Sequence, residues 1–92
     1  MLTQTYRLCG RVQGVGCRFT ATKLALSMGL KGTVKNEEDG SVTLQLQVSP
    51  EKATAFFQAF QSPSLNPWMR IDTITLLREE DLPFMSDFSP IY

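Results

Sequence analysis

Residues 5–28 read TYRLCGRVQGVGCRFTATKLALSM, and the change of rhythm inside this stretch decides the fold. Thr5 to Val12 alternates, with Tyr6, Leu8, Gly10 and Val12 on one side and Arg7, Cys9 and Arg11 on the other. Period two predicts a strand with one face buried. Gln13-Gly14-Val15-Gly16 then places two glycines in four residues, which predicts a tight turn or loop. From Phe19 to Met28 the rhythm becomes helical: Ala21, Leu24, Ala25 and Met28 form one apolar stripe. Gly29 fits the left-handed position that ends a helix, with Leu30 packing back behind it.

Downstream, Gly32 to Lys35 begins a second strand, and Asn36-Glu37-Glu38-Asp39-Gly40 is a polar hairpin turn. Ser41 to Val48 alternates again, with Val42, Leu44, Leu46 and Val48 on the apolar side. Ser49-Pro50-Glu51 is a helix start with a capping hydroxyl and proline at the first helical position. Ala53, Phe56, Phe57 and Phe60 supply its core stripe. After a loop over 62–67, where Trp68 packs beside Pro67, a fourth strand runs from Met69 to Arg78. Its inward residues would be Ile71, Ile74 and Leu76, and the three-residue step from 71 to 74 predicts a bulge. Glu79 to Ser86 reads as loop and Asp87 to Tyr92 as a short last strand, which Pro90 should shorten.

The order β-α-β-β-α-β predicts an α+β, ferredoxin-like sandwich: an antiparallel sheet with two helices on one face, in a single domain over residues 1–92. Leu8, Val12, Val34, Val42, Leu44 and Leu46 would meet the helical stripes in the core. Composition agrees, with 42% apolar and 20% charged residues in 92. Nine basic residues balance nine acidic ones, so there is no electrostatic footprint for nucleic acid or an anionic membrane. No apolar run is long enough for a membrane span, and the N-terminus lacks signal-peptide character, so a cytoplasmic location is expected. Two cysteines, Cys9 and Cys17, read as free thiols. Histidine is absent altogether, which removes the commonest general base and zinc ligand.

Chemistry concentrates in Gly10-Arg11-Val12-Gln13-Gly14-Val15-Gly16-Cys17-Arg18. Glycines between a strand and a helix let consecutive N–H groups turn inward as an anion nest, and the helix N-terminus adds its positive dipole. Arg18 can aim a planar guanidinium into the same concavity. On the residues alone a plain strand-to-helix turn with a solvated Arg18 reads equally well. Two other phosphate loops are excluded. No Lys-Ser or Lys-Thr follows the glycines, and Val12 rather than cysteine stands six residues before Arg18.

The stretch resembles the acylphosphatase signature Gly-x-Val-Gln-Gly-Val-x-Phe-Arg. The similarity continues through Ala25, Leu26, Gly29-Leu30-x-Gly32-x-Val34-x-Asn36 and Asp39-Gly40-x-Val42, and more weakly through Met69-Arg70-Ile71-Asp72 and Asp87-Phe88…Tyr92. The resemblance implies hydrolysis of the carboxyl-phosphate bond of acyl phosphates by direct water attack, without metal, cofactor or covalent intermediate. Backbone N–H groups of Gln13, Gly14, Val15, Gly16, Cys17 and Arg18 would cradle the phosphoryl group, Arg18 would pair with it, and Asn36 would hold the attacking water. Left to itself, Asn36 reads as a turn residue. The implied partners are a small acyl phosphate, with inorganic phosphate as product or inhibitor, for a monomer that binds neither nucleic acid nor membrane.

Cys17 stands where the family has Phe. It puts a thiol, and with it a question of redox sensitivity, beside the site, although a helix starting there buries the side chain. Ser49-Pro50 also departs from a junction that usually contains Gly. Two other functions compete. An RNA-binding sheet needs aromatics, but Arg7, Cys9, Arg11, Thr43, Gln45 and Gln47 would line the open face. A catalytically idle relative would not need the Arg18 and Asn36 that this chain keeps.

Overall fold

The alternating stretch folds as strand β1 (Leu2–Arg11), and the glycine loop hands it on to helix α1 (Cys17–Ser27). The computed structural model describes residues 1–91, so the expectation for Tyr92 lies outside the described residues. Then follow β2 (Lys31–Asn36), β3 (Val42–Gln47), α2 (Pro50–Phe60), β4 (Arg70–Asp81) and β5 (Phe88–Ile91). The strands form one sheet in the order β4-β1-β3-β2-β5. Leu8, Val12, Val34, Val42, Leu44 and Leu46 are buried with Ala21 and Ala25 of α1 and Ala53, Phe56 and Phe60 of α2 in one core. Phe57 lies at its margin and meets Tyr6 edge to face at 4.8 Å, a favoured aromatic geometry.

The sheet is mixed, which corrects the expectation of an antiparallel one. β1 pairs antiparallel with β3 and β4, and β2 antiparallel with β3, but β5 runs parallel to β2. The reason is the route of the chain. β4 ends at one edge of the sheet and β5 lies at the other, so the connection over residues 82–87 crosses the sheet and enters β5 in the direction of β2.

This topology gathers the site. β1 and β2 are both antiparallel to β3, hence parallel to each other, and β5 is parallel to β2. The C-terminal ends of all three strands, at Arg11, Asn36 and Ile91, therefore lie at one end of the sheet. α1 starts at that end, because the loop that opens it follows directly on β1.

Several details differ from expectation. The bulge between Ile71 and Ile74 is present: Cys9 pairs with Thr73 and Gly10 with Ile71, leaving Asp72 unmatched. A second one leaves Leu77 unmatched between Thr5↔Arg78 and Tyr6↔Leu76. Leu76 is 46% exposed rather than inward, because it sits on the edge strand past the core cluster that takes in Ile71 and Ile74. β4 extends to Asp81, well past the expected end, and its length is held by pairing to the start of β1, down to Leu2↔Asp81. Bulges and the charges of Arg70, Asp72, Arg78 and Asp81 blunt this long exposed edge against pairing with other chains. Pro90 does not end β5. Pairing continues through Val34↔Pro90 to Lys35↔Ile91, which an edge strand permits. Ser49 precedes Pro50 at the start of α2 but makes no side-chain cap bond. Trp68 is 71% exposed, so it does not pack within its loop.

The crossing segment is pinned by Gln47. Its amide donates to the Thr3 hydroxyl at 3.0 Å and the Pro83 carbonyl at 2.8 Å, and its Oε1 accepts from the Met85 N–H at 2.8 Å. This buries a face read as open from the sequence, since Thr3 and Gln47 are fully covered. Gln47→Met keeps the volume but strands these partners. It should cost about 1–3 kcal/mol, read as a lower urea midpoint with an unchanged slope.

Candidate active site

Gly14 and Gly16 adopt φ of 73° and 78°, the left-handed region in which a side chain is strained. These kinks turn the loop over 12–16 into the start of α1. Gly16 is the N-cap, so the helix begins with no side-chain cap bond and no acid in its first turn. The N–H groups and positive dipole of that turn are left for a ligand. The first intrahelical bond runs from the Thr20 N–H to the Gly16 carbonyl at 2.9 Å.

A cavity of about 220 Å³ opens over this helix start, lined by Val12, Gly14, Gly16, Cys17, Arg18, Phe19 and Asn36. Among these there is one cation and no carboxylate. Four of the loop residues named from sequence thus share one concavity with Asn36. Gln13 and Val15 do not line it. Asn36 faces the helix side because it follows the buried Val34 by two residues on β2. Its Oδ1 is fully buried and has no hydrogen-bond partner among the described residues. Such an orphaned acceptor is costly to leave in a fold. Glu37 turns to the opposite face, where it accepts from the Thr43 hydroxyl at 2.7 Å and lies 3.9 Å from the Lys35 ammonium. Asp39 serves its own turn. Hydrogen bonds from the Ser41 hydroxyl and N–H hold its carboxyl below the usual range. Neither acid opposes an anion in the cavity.

Arg18 is half-buried, and its Nη1 donates to the Ile91 carbonyl at 3.3 Å. The guanidinium is therefore steered by the end of β5.

Three features of the site escaped sequence reading. The Gln13 side chain donates from Nε2 to the Glu37 carbonyl at 2.7 Å and the Ser41 carbonyl at 2.8 Å, stapling the loop to the β2–β3 hairpin. Asn66, buried in the loop after α2, donates to the Val15 carbonyl at 3.0 Å and the Thr20 hydroxyl at 2.9 Å. The glycine loop is thus held from two sides. The third is the Ile91 carbonyl. No local signal marks Asn66 or Ile91, since their partners lie 46 to 73 residues away.

Cys17 is buried, and burial pushes its thiol up to about 12 against the pull of the neighbouring Arg18 guanidinium. It fills the core behind the loop as a neutral thiol and is no nucleophile.

The acylphosphatase family model matches residues 4–90. An acylphosphatase of Lactobacillus gasseri is 36% identical over 93 aligned residues, covering 100% of both chains. One from Ligilactobacillus salivarius is 35% identical over 83 residues, covering 90% of each. The crystal structure of acylphosphatase from Bacillus subtilis superposes with a TM-score of 0.85 at 30% identity, covering 100% of each chain.

The Cys17 environment has a pH signature. The unfolded chain ionises this thiol near its ordinary 9.0, while the folded chain keeps the proton to about 12. The native state holds more protons within that window, so this contribution to stability falls as pH rises through it. Cys17→Ala should flatten that part of a stability-against-pH curve. A thiol reagent at pH 8 should label Cys9 in the folded protein and reach Cys17 only on unfolding.

Proposed function

The chain belongs to the acylphosphatase family, and we propose that it hydrolyses the carboxyl-phosphate bond of acyl phosphates by direct attack of water on phosphorus, through no metal and no covalent intermediate. The observation that carries this reading is the convergence of Asn36, Arg18 and the uncapped start of α1 on one cavity. Asn36 brings no charge to grip an anion, but its side-chain amide can hold a water beside one.

In this mechanism the phosphoryl group sits on the loop and on the first N–H groups of α1, with the Arg18 guanidinium on its equatorial oxygens. The Asn36 side-chain amide holds the water so that an oxygen lone pair faces phosphorus. The new P–O bond forms as the bond to the acyl oxygen breaks, and the electron pair leaves on the carboxylate. The water proton passes to a phosphoryl oxygen of the substrate, so an acyl phosphate dianion and water become a carboxylate and dihydrogen phosphate. A carboxylate is a good leaving group and needs no general acid, which suits a chain without histidine. Phosphoryl transfer of this kind rests on positioning and on stabilising charge. Orthophosphate fits the same cavity and acts as a competitive inhibitor, and the working unit is a monomer.

Hydrolysis of benzoyl phosphate tests the assignment. Arg18→Ala should raise KM and lower kcat together, with a loss of about 10³ or more in kcat/KM. Asn36→Ala should lower kcat about 10²-fold with KM changed little, because it removes the placement of water and leaves phosphate binding intact. Arg18→Ala turning over at the wild-type rate would sink the proposal.

A further inference from the structure

Beside the phosphate cavity lies a second groove of about 210 Å³, lined by Phe19, Thr20, Lys23, Leu24, Ser27 and Leu65. Phe19 belongs to both linings, so the two spaces are neighbours across one ring. Phe19 is 72% exposed and Leu65 42% exposed. Trp68 and Phe84 are exposed to the same extent as Phe19, but Phe19 and Leu65 face a concave groove beside the phosphate cavity, the setting in which an apolar ligand group is bound.

Resting on the reading of the phosphate cavity given above, we infer that this groove receives the acyl group, and that the preferred substrates are acyl phosphates whose acyl part has an apolar body about the size of a ring. Helix geometry supports the direction. Arg18 and Thr20 are two residues apart and so point to nearly opposite sides of α1, about 200° around its axis. Arg18 reaches the Ile91 carbonyl on β5, which pairs with β2, the strand that carries Asn36. Thr20 bonds Asn66 on the other side, and Leu65 is the residue before it. In-line displacement puts water and leaving oxygen on opposite faces of phosphorus. Water held on the β2 side sends the acyl oxygen toward Phe19 and Leu65.

Size supports the class. A cavity of about 150 Å³ lined by apolar side chains accepts a benzene ring. A groove of about 210 Å³ therefore takes a phenyl or a branched aliphatic chain, while an acetyl group leaves most of it unfilled. Lys23 also lines the groove, and a lysine stem is long enough to add apolar wall.

The test compares kcat/KM for benzoyl phosphate and acetyl phosphate in the wild type, Phe19→Ser and Leu65→Ser, with folding checked by circular dichroism. The benzoyl-to-acetyl ratio should fall about tenfold in each variant, mainly through the KM for benzoyl phosphate. A binding readout accompanies it: benzylphosphonate should shift the Leu65 methyl resonances, whereas inorganic phosphate should shift only loop amides. An unchanged ratio in both variants with silent Leu65 methyls overturns the groove and leaves hydrolysis standing. A wild-type protein that hydrolyses neither acyl phosphate refutes the catalytic reading instead, and the methyl shifts then decide the groove alone.

Discussion

Insertion of β3 between two strands that run the same way is the constraint from which the site follows. Because β3 pairs antiparallel with both β1 and β2, the ends of β1 and β2 must finish on one rim of the sheet, separated by the width of one strand. The chain leaves β1 there and must turn at once into α1, which sets the helix N-terminus on that rim. It leaves β2 at Asn36 on the same rim. Any topology with β1 and β2 adjacent and antiparallel would send Asn36 to the far end of the sheet, away from Arg18. β5 repeats the device. Running parallel to β2, it brings the Ile91 carbonyl to Arg18.

Holding the rim together is a separate task, and it falls to amides. In the proposed mechanism the N–H groups of the glycine loop face the phosphate, so the loop cannot be held by packing over them. Its rigidity therefore comes from side chains that reach it from outside. Gln13 binds two carbonyls of the hairpin, and Asn66 binds the Val15 carbonyl and the Thr20 hydroxyl. Each neutral bond contributes about 1 kcal/mol to stability, with a larger penalty when a buried partner is stranded. Neutral tethers also keep carboxylates away from the cavity that the proposed mechanism gives to a dianion. The acids nearest the site, Glu37 and Asp39, are engaged on the other face or within their own turn. A loop tethered by Asp or Glu would have been just as firm and would have repelled the ligand.

The sequence made the loop and core legible because their signals are local. Period two in β1 and β3, a helical stripe in α1, and two glycines beside an arginine can each be read within ten residues. The step from Ile71 to Ile74 likewise announced the bulge at Asp72. Asn36 was legible only through the family's spacing, since by itself it opens a hairpin as any asparagine does. What could not be read depends on how distant segments meet. A four-residue β5 carries no mark of its direction, so its parallel pairing with β2 was hidden. Gln47 looked like a solvent-facing position until the crossing segment supplied Pro83 and Met85 as its partners. The Asn66 tether was invisible for the same reason.

Cys17 shows how far the family's pattern bends without touching the chemistry. Where the signature this stretch resembles has phenylalanine, a smaller side chain lies in the core behind the loop: Cys17 is 2% exposed in one cluster with Val12 and Ala21. The position contributes a backbone N–H to the helix start whichever side chain it bears. The next residue, Arg18, keeps its direction because Ile91 holds it from the other side. A site made, as proposed, of main-chain groups and two side chains would be insulated from substitution in the core beneath it. What it cannot tolerate is a change in the path of the backbone, which is why both left-handed turns of the loop are made by glycine.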